Sequence, residues 1–212
     1  MDQFKRLIAM GVLLLSWSLG AGEIKSMGVG IVKGEVVTSR EVHIQNLLEA
    51  SLYQNSGDGK ILGLDSKAFA KTVQAALLEL AISMEAHNFN VVQVGDEELA
   101  KLKAQALQSL EKQKAWKDLQ VTEAELKRGL IRKAQAKKFI QFRAKSSVLP
   151  VTDREAQKYF NENRLKFGDL PYENFKENIK AYLSRTQVER RLGEWYEVLL
   201  NKYQVKNLIA EI

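Results

Sequence analysis

Residues 29–41 read VGIVKGEVVTSRE, and this stretch decides how the chain begins to fold. Two runs of β-branched residues flank Lys33-Gly34, and Gly34 supplies the positive φ that a tight hairpin turn requires. The stretch ends in a Thr-x-x-Glu capping box, Thr38 to Glu41, which is typical of a helix N-terminus. The sequence therefore predicts a short β-hairpin that leads directly into a helix.

Apolar residues at helical spacing dominate the chain that follows. The first helix is expected to end near Tyr53 and to be followed by a loop at 56–59, whereas residues 91–94 are expected to be extended. Further helix starts are expected at Asp65-Ser66, at Asp96 as a cap, at the capping boxes Thr122-x-x-Glu125 and Thr152-x-x-Glu155, and at Tyr172 for a last helix that ends at Lys202. The predicted fold class is mostly α.

The two ends of this helical chain carry its extended segments. The hairpin and the segment Tyr203–Ile209 each need a partner strand, because isolated two-stranded units are marginally stable. We therefore expect the C-terminal strand to pair with the hairpin. Val205 and Leu208 are expected to cover the hairpin face that carries Ile31 or Val36.

The first 22 residues have the three-part pattern of a secretory signal peptide. Lys5 and Arg6 precede an uncharged run at 7–19, and the small residues Gly20, Ala21 and Gly22 follow, after any of which cleavage is expected. The run is shorter than the ~20 residues of a membrane-spanning helix. The interpretation is a signal peptide at 1–22 and a single helical domain at 23–212; an uncleaved anchor or a buried helix are the alternatives.

The composition excludes several kinds of site. The chain contains no cysteine, which excludes disulfides, thiolate metal ligands and cysteine nucleophiles. With 45% hydrophobic and 27% charged residues, it has the composition of a globular protein. His43 and His87 lie in predicted helices, where a structural role is expected. We expect no catalytic residue, no metal site and no cofactor.

Basic residues are concentrated at 127–145, with no acidic residue between Glu125 and Asp153. This stripe could be a solvated helix face, or could attract acidic polypeptides or an anionic membrane surface. Nucleic acid is not an expected partner of an exported protein. The candidate electrostatic residues are Lys133, Lys137, Lys138 and Arg143.

Large apolar residues lie within or just before the basic stripe. Phe139 and Phe142 are three residues apart, so they lie near each other on a helix. An exposed apolar patch with basic edges would suit a protein that binds unfolded chains. The candidate client-binding residues are Trp116, Phe139, Ile140 and Phe142, and packing in the core is the alternative role for the aromatic ones.

Three segments in this order resemble the SurA-type periplasmic chaperones and the related parvulin-type foldases. They are VKGEVVTSREV at 32–42, VTDREAQKYFNEN at 151–163, and the tail from Trp195 to Tyr203-Gln-Val-Lys. The resemblance implies a helical chaperone core built from the N-terminal part and one C-terminal helix. In that family parvulin prolyl isomerase domains are inserted after the segment that corresponds to 159–167, whereas here residues 168–171 lead straight into the last helix.

The resemblance therefore implies the chaperone core alone, without prolyl isomerase activity. The expected function is that of an ATP-independent periplasmic holdase, which binds unfolded envelope proteins such as outer-membrane β-barrel precursors in an apolar cleft. Two alternatives remain at this point: a divergent prolyl isomerase, and an accessory subunit of one envelope partner.

Overall fold

The computed structural model describes residues 26–53, 60–90 and 92–209. The predicted signal segment 1–22 and the loop 56–59 lie outside the described residues. Within them the chain forms seven α-helices and one small antiparallel sheet, which confirms the mostly α class. The elements are β1 (Gly28–Val32), β2 (Glu35–Thr38), α1 (Ser39–Leu52), α2 (Lys67–Phe89), α3 (Asp96–Leu110), α4 (Lys114–Leu119), α5 (Glu123–Ser146), α6 (Asp153–Glu162), α7 (Lys176–Lys202) and β3 (Lys206–Asn207).

The hairpin forms as predicted, with a two-residue turn at Lys33-Gly34. Both turn residues have positive φ, 50° at Lys33 and 84° at Gly34. This left-handed pair is the turn geometry that matches the twist of the two flanking strands. Gly34 adopts it without strain, and Lys33 accepts a less favourable conformation to keep β1 and β2 in register.

The C-terminal strand pairs with the hairpin, which confirms the predicted closure of the two chain ends. β3 lies antiparallel to β1, with Gly30 opposite Asn207 and Ile31 opposite Lys206, so the strand order is β2-β1-β3. Packing requires a glycine at position 30, because a Cβ built there would lie 2.5 Å from a methyl group of Leu77. The central strand can therefore approach α2 closely.

The buried face of the hairpin differs from the prediction. Val29, Val32 and Val37 are buried, whereas Val36 is exposed and Ile31 is half-buried. Ile31 lies opposite Val36 in the register, so both occupy the face opposite to that of Val32 and Val37. An irregularity in the register between Gly28 and Gly30 changes the alternation of β1 and places Val29 on the buried face as well. From the tail, Val205 and Ile209 pack against the cluster that contains the three buried valines, rather than Val205 and Leu208.

The three predicted capping boxes are all present. In each, the threonine hydroxyl accepts a hydrogen bond from the backbone N–H three residues later, and the glutamate accepts one from the threonine N–H. These reciprocal bonds satisfy donors that the first turn of a helix leaves free. They fix the starts of α1, α5 and α6 at Thr38/Glu41, Thr122/Glu125 and Thr152/Glu155.

Other helix boundaries differ from the prediction. Gly95 is the N-cap of α3, so Asp96 lies within the helix, where its charge favours the first turn. Residues 92–95 join no strand, and the short helix α4 was not predicted. The last helix begins at Lys176, because Pro171 and a 3₁₀ turn at Tyr172–Asn174 precede it.

The buried residues form three clusters. The first lies between the sheet, α2, α5 and the end of α7; the second lies between α1, α3, α4 and α5. The third joins α6 to the start of α7. Helix α7 connects the first and third clusters, and between Ile179 and Leu199 none of its residues is fully buried.

Candidate functional site

An open apolar groove lies between α1, α2, α5 and α7. Its volume is about 450 Å³, and we refer to it as the groove. Aliphatic side chains from α2 and α5 form much of its wall, and two tyrosine rings complete it. These wall residues are Ala75, Leu78, Ile82, Ala136, Ile140, Tyr53 and Tyr196.

The charged groups that line the groove are largely neutralised by ion pairs. Lys133, whose side chain is 4% exposed, places its Nζ 2.6 Å from Glu49 Oε2 and 2.8 Å from Glu79 Oε2. Burial by itself would lower the pKa of Lys133, but the two carboxylates outweigh it and raise the pKa above its usual value. The ammonium group therefore stays charged, and a buried cation is matched by two anions.

One hydrogen-bond acceptor in the groove lining has no partner among the described residues. Glu79 Oε1 is buried and has no hydrogen-bond partner among the described residues. A buried oxygen of this kind ordinarily has a partner. Because this oxygen is closed to solvent, a bound molecule would reach it only after the carboxylate turned toward the groove.

A second cavity of about 290 Å³ adjoins the groove between α1, α3 and α5. Tyr53, Lys137 and Gln141 line both cavities. The Nζ of Lys137 lies 4.4 Å from the centre of the Tyr53 ring, a cation–π contact at the boundary between them. The second cavity is more polar, because Glu98, Gln105 and Lys138 contribute to it.

The predicted basic stripe is exposed only in part, and of its candidate electrostatic residues Lys133 is buried. α5 packs against acidic residues of other helices, so several of its basic groups are paired inside the fold. Lys133 pairs with Glu49 and Glu79, while Lys138 pairs with Glu98 and donates to the carbonyl of Gln93 at 2.9 Å. The side chains of the stripe that stay exposed are Lys127, Arg128, Lys137 and Lys145.

Arg143, the fourth predicted electrostatic residue, lies against an aromatic ring. Its guanidinium carbon is 5.2 Å from the centre of the Trp195 ring, and its Nε is buried without a partner among the described residues. Arg143 therefore joins α5 to α7 and does not belong to the groove lining.

The predicted client-binding residues divide between surface and core. Ile140 lines the groove, and Phe142 is 44% exposed. Phe139 is 1% exposed and Trp116 is also buried, in the first and second clusters respectively. Neither side chain presents a surface to a client, because Phe139 packs against rings of α2 and α7 and Trp116 packs within the second cluster.

Phe139 is the centre of an aromatic group that reaches the surface. Its ring centre lies 5.7 Å from Phe89, 5.9 Å from Phe142 and 5.7 Å from Trp195. Phe89 and Phe142 are exposed, so an aromatic surface does exist beside α5. It differs from the predicted patch in that its central ring is structural.

The sequence did not indicate the residues that make the groove a cavity. Tyr53 ends α1, Leu78 lies on α2, and Tyr196 lies on α7, each in a separate helical pattern. Leu78 follows the buried Leu77 directly, so a broad apolar face on α2 was the available signal.

The two histidines have different surroundings. His43 is buried, with its ring centre 5.1 Å from that of Phe69, and burial lowers its pKa. His87 is exposed in the last turn of α2. Among the described residues, no group of three or more His, Asp or Glu side chains is placed to hold a metal ion.

Comparisons of this chain with protein-family models, with curated proteins and with solved structures yield no significant match. In the described part of the chain, no helix has both the length and the apolar character needed to cross a membrane.

Proposed function

We propose that this protein is an ATP-independent periplasmic chaperone that holds unfolded polypeptide segments in the groove. Its clients would be envelope proteins, with outer-membrane β-barrel precursors as the leading class. The observation that carries the proposal is the groove itself: an open cavity with aliphatic walls and paired charges.

The groove wall suits the apolar side chains that an unfolded chain exposes. Burying one such side chain contributes about 1.5–3 kcal/mol. Association and ordering of the bound segment oppose that gain. A cavity that accepts one or two side chains therefore binds weakly and releases readily, so release needs no nucleotide. Binding lowers the concentration of free unfolded client and thus slows its aggregation.

The polar groups of the groove suit a polypeptide more than a purely apolar ligand. Glu79 Oε1 has no hydrogen-bond partner among the described residues, and after a turn of the carboxylate toward the groove it would accept one of the backbone N–H groups that an extended client offers at nearly every residue. A main-chain hydrogen bond does not depend on client sequence, so it is compatible with many clients. The aliphatic wall then selects for apolar side chains beside that bond.

The exposed basic groups support capture of acidic clients. The chain carries a net charge of +6, and Lys137 stands at the edge of the groove. Long-range attraction speeds encounter more than it strengthens the bound state. Capture should therefore be slower at high salt.

The periplasmic location rests on the signal-like segment 1–22 and on the resemblance to SurA-type chaperones. The same resemblance supports binding without isomerisation, because 168–171 connects α6 to α7 where the family inserts a parvulin domain.

Aggregation of a diluted, denatured outer-membrane protein tests the proposal. The unmodified protein should suppress light scattering without ATP at severalfold molar excess. Ile140→Gln places a polar group on the groove wall and should weaken suppression. Val198→Gln changes an exposed apolar residue of α7 that does not line the groove, so it is the matched control and should suppress normally.

Three outcomes separate the possibilities. No suppression by the unmodified protein would reject the holdase, and a single stoichiometric partner recovered from envelope extract would then favour a dedicated subunit. Equal suppression by Ile140→Gln and Val198→Gln would place client binding outside the groove. Acceleration of a proline-limited folding reaction would show an enzyme.

A further inference from the structure

The third buried cluster forms a separate aromatic group at the junction of α6 and α7. We call residues 153–182 the aromatic lobe. The ring centre of Phe160 lies 4.9 Å from that of Phe167, 5.6 Å from Tyr172 and 6.3 Å from Phe175. This packing fixes the connection between the two helices, including the 3₁₀ turn Arg164–Lys166.

The aromatic lobe has a small cavity of its own. It measures about 180 Å³ and is nearly all apolar, with walls from Tyr159, Phe167, Phe175, Ile179 and Tyr182. Sites for small molecules usually measure ~300–1,000 Å³. This cavity, the lobe pocket, therefore suits a single aliphatic side chain.

Leu165 is a large aliphatic side chain that lies fully in solvent beside the lobe pocket. It shows complete exposure, and Lys166 and Phe167, the next two residues, line the pocket. The turn that presents Leu165 is held in place by Arg164, whose guanidinium carbon lies 4.8 Å from the Phe160 ring centre and whose Nη1 donates to the carbonyl of Leu170 at 2.7 Å. The leucine therefore projects from a fixed support.

The charge of the aromatic lobe is balanced, unlike that of the whole chain. Residues 153–182 contain six basic and six acidic residues, whereas the chain has a net charge of +6. Two copies of a neutral surface do not repel each other, and charges of both signs permit pairing across a contact.

We propose that the aromatic lobe is a homodimer contact, in which Leu165 of each copy occupies the lobe pocket of the other. A two-fold axis satisfies both contacts at once, because the projecting residue and the pocket belong to the same short segment. The exchange would remove two exposed leucines from water and fill two cavities.

This contact leaves the groove accessible and does not depend on what the groove binds. Tyr196 of the groove lies 14 residues beyond Tyr182 of the lobe pocket on the same helix, which corresponds to about 21 Å along α7. A dimer would therefore present two grooves, and two linked sites hold one long client more tightly than either alone.

Sedimentation velocity of the purified protein, from micromolar to submillimolar concentration, tests the dimer. The unmodified protein should associate with concentration. Leu165→Lys should weaken association at least about tenfold, because it places a charge in an apolar pocket. Val198→Lys, at another exposed apolar site, is the control and should associate normally.

Disulfide trapping gives a second readout that is independent of the effect of the lysine. The chain has no native cysteine, so single cysteines can be placed without interference. Leu165→Cys mixed with Asn178→Cys, at the edge of the lobe pocket, should give a mixed disulfide-linked dimer under mild oxidation. Leu165→Cys mixed with Val198→Cys should not.

The proposal fails if the protein stays monomeric over the whole range, or if Leu165→Lys associates as the unmodified protein does. Absence of the mixed Leu165→Cys/Asn178→Cys species would also overturn it. A monomer whose aggregation suppression is weakened by Leu165→Lys would overturn the dimer and identify the exposed Leu165 side chain as a client contact instead. Either result leaves the test of the groove with Ile140→Gln unaffected.

Discussion

The hydroxyl group of Tyr203 donates a 2.7 Å hydrogen bond to Glu85 Oε2, although the two residues are 118 positions apart. The same carboxylate oxygen accepts from Lys202 Nζ at 2.6 Å, and the Tyr203 oxygen accepts from Asn88 Nδ2 at 2.8 Å. Burial and the Glu85 carboxylate raise the pKa of Tyr203 to about 12, so the phenol stays protonated at neutral pH. The end of α7 is thereby fastened to α2 beside the sheet.

Removing this hydroxyl should destabilise the fold while leaving the ring in place. Tyr203→Phe should lower the free energy of unfolding by about 1.5–3 kcal/mol, the usual value for a hydrogen bond to a charged group. Urea unfolding followed by circular dichroism measures it. Tyr182→Phe is the control, because Tyr182 is exposed and its hydroxyl makes no hydrogen bond within the described residues. Equal stability of the two variants would contradict the expectation.

The C-terminal strand should contribute to stability beyond its backbone bonds. Deleting residues 205–212 removes β3 and two apolar side chains that pack on the first cluster, Val205 and Ile209. We expect a loss of about 2–4 kcal/mol, since both side chains are only partly buried. Lys206→Ala keeps the strand and changes an exposed side chain, so its melting temperature should stay close to that of the full chain. If the truncated chain melted at the same temperature as Lys206→Ala, the strand would add no stability.

Phe139 and Phe142 should respond very differently to truncation. Phe139→Ala opens a cavity at the centre of the aromatic group, so it should lower the free energy of unfolding by about 3–5 kcal/mol. Phe142→Ala removes a ring that is 44% exposed, so the free energy of unfolding should fall by less than for Phe139→Ala, by about 1 kcal/mol. Thermal and urea unfolding of the two variants checks this. Similar losses at both positions would mean that Phe139 is not the structural centre of the group.

The stability of the fold should fall on mild acidification because of His43. Burial lowers its pKa below the usual 6.5, whereas the unfolded chain takes up the proton near that value. As the pH falls below 6.5, the unfolded chain therefore binds the proton first, and stability declines until the folded-state pKa is reached. One proton gives a slope of at most about 1.4 kcal/mol per pH unit.

Unfolding free energies of His43→Gln across mildly acidic pH isolate this effect. The variant should lack the slope just below neutral pH, and His87→Gln, at the exposed histidine, should keep it. A different decline is expected in stronger acid, where Glu125, whose pKa the Arg40 hydrogen bond lowers to about 2, begins to lose its contribution below its usual 4.5. If the decline of the unfolding free energy in mild acid persisted in His43→Gln, another titrating group would be its cause.

The features that the sequence predicted well depend on residues close together in the chain. A capping box needs only the hydroxyl of Thr122 and the carboxylate of Glu125, one helical turn apart. The hairpin turn needs only Lys33-Gly34 between two β-branched runs. Pairing of the tail with the hairpin was predictable for another reason: an unpaired strand is costly, and few other partners were available.

The groove was beyond sequence reasoning because it depends on which helices meet. Lys133 belongs to a stretch without acidic residues, yet its partners Glu49 and Glu79 are 84 and 54 positions away. Phe139 and Ile140 are adjacent in sequence, and a rotation of about 100° around α5 places one in the core and the other on the groove wall. The helical period identifies the apolar face of a helix but not the helix that packs against it.

The central position of β1 in the sheet has a consequence for how the chain reaches its native state. Gly30 cannot meet Asn207 until the chain has been synthesised as far as residue 207, so during N-to-C synthesis β1 keeps one edge unpaired. Contacts of such long sequence separation form slowly, and an open strand edge invites pairing with other chains in the interval. Completion of this sheet therefore closes the edge of β1 through which a newly synthesised chain would pair with other chains.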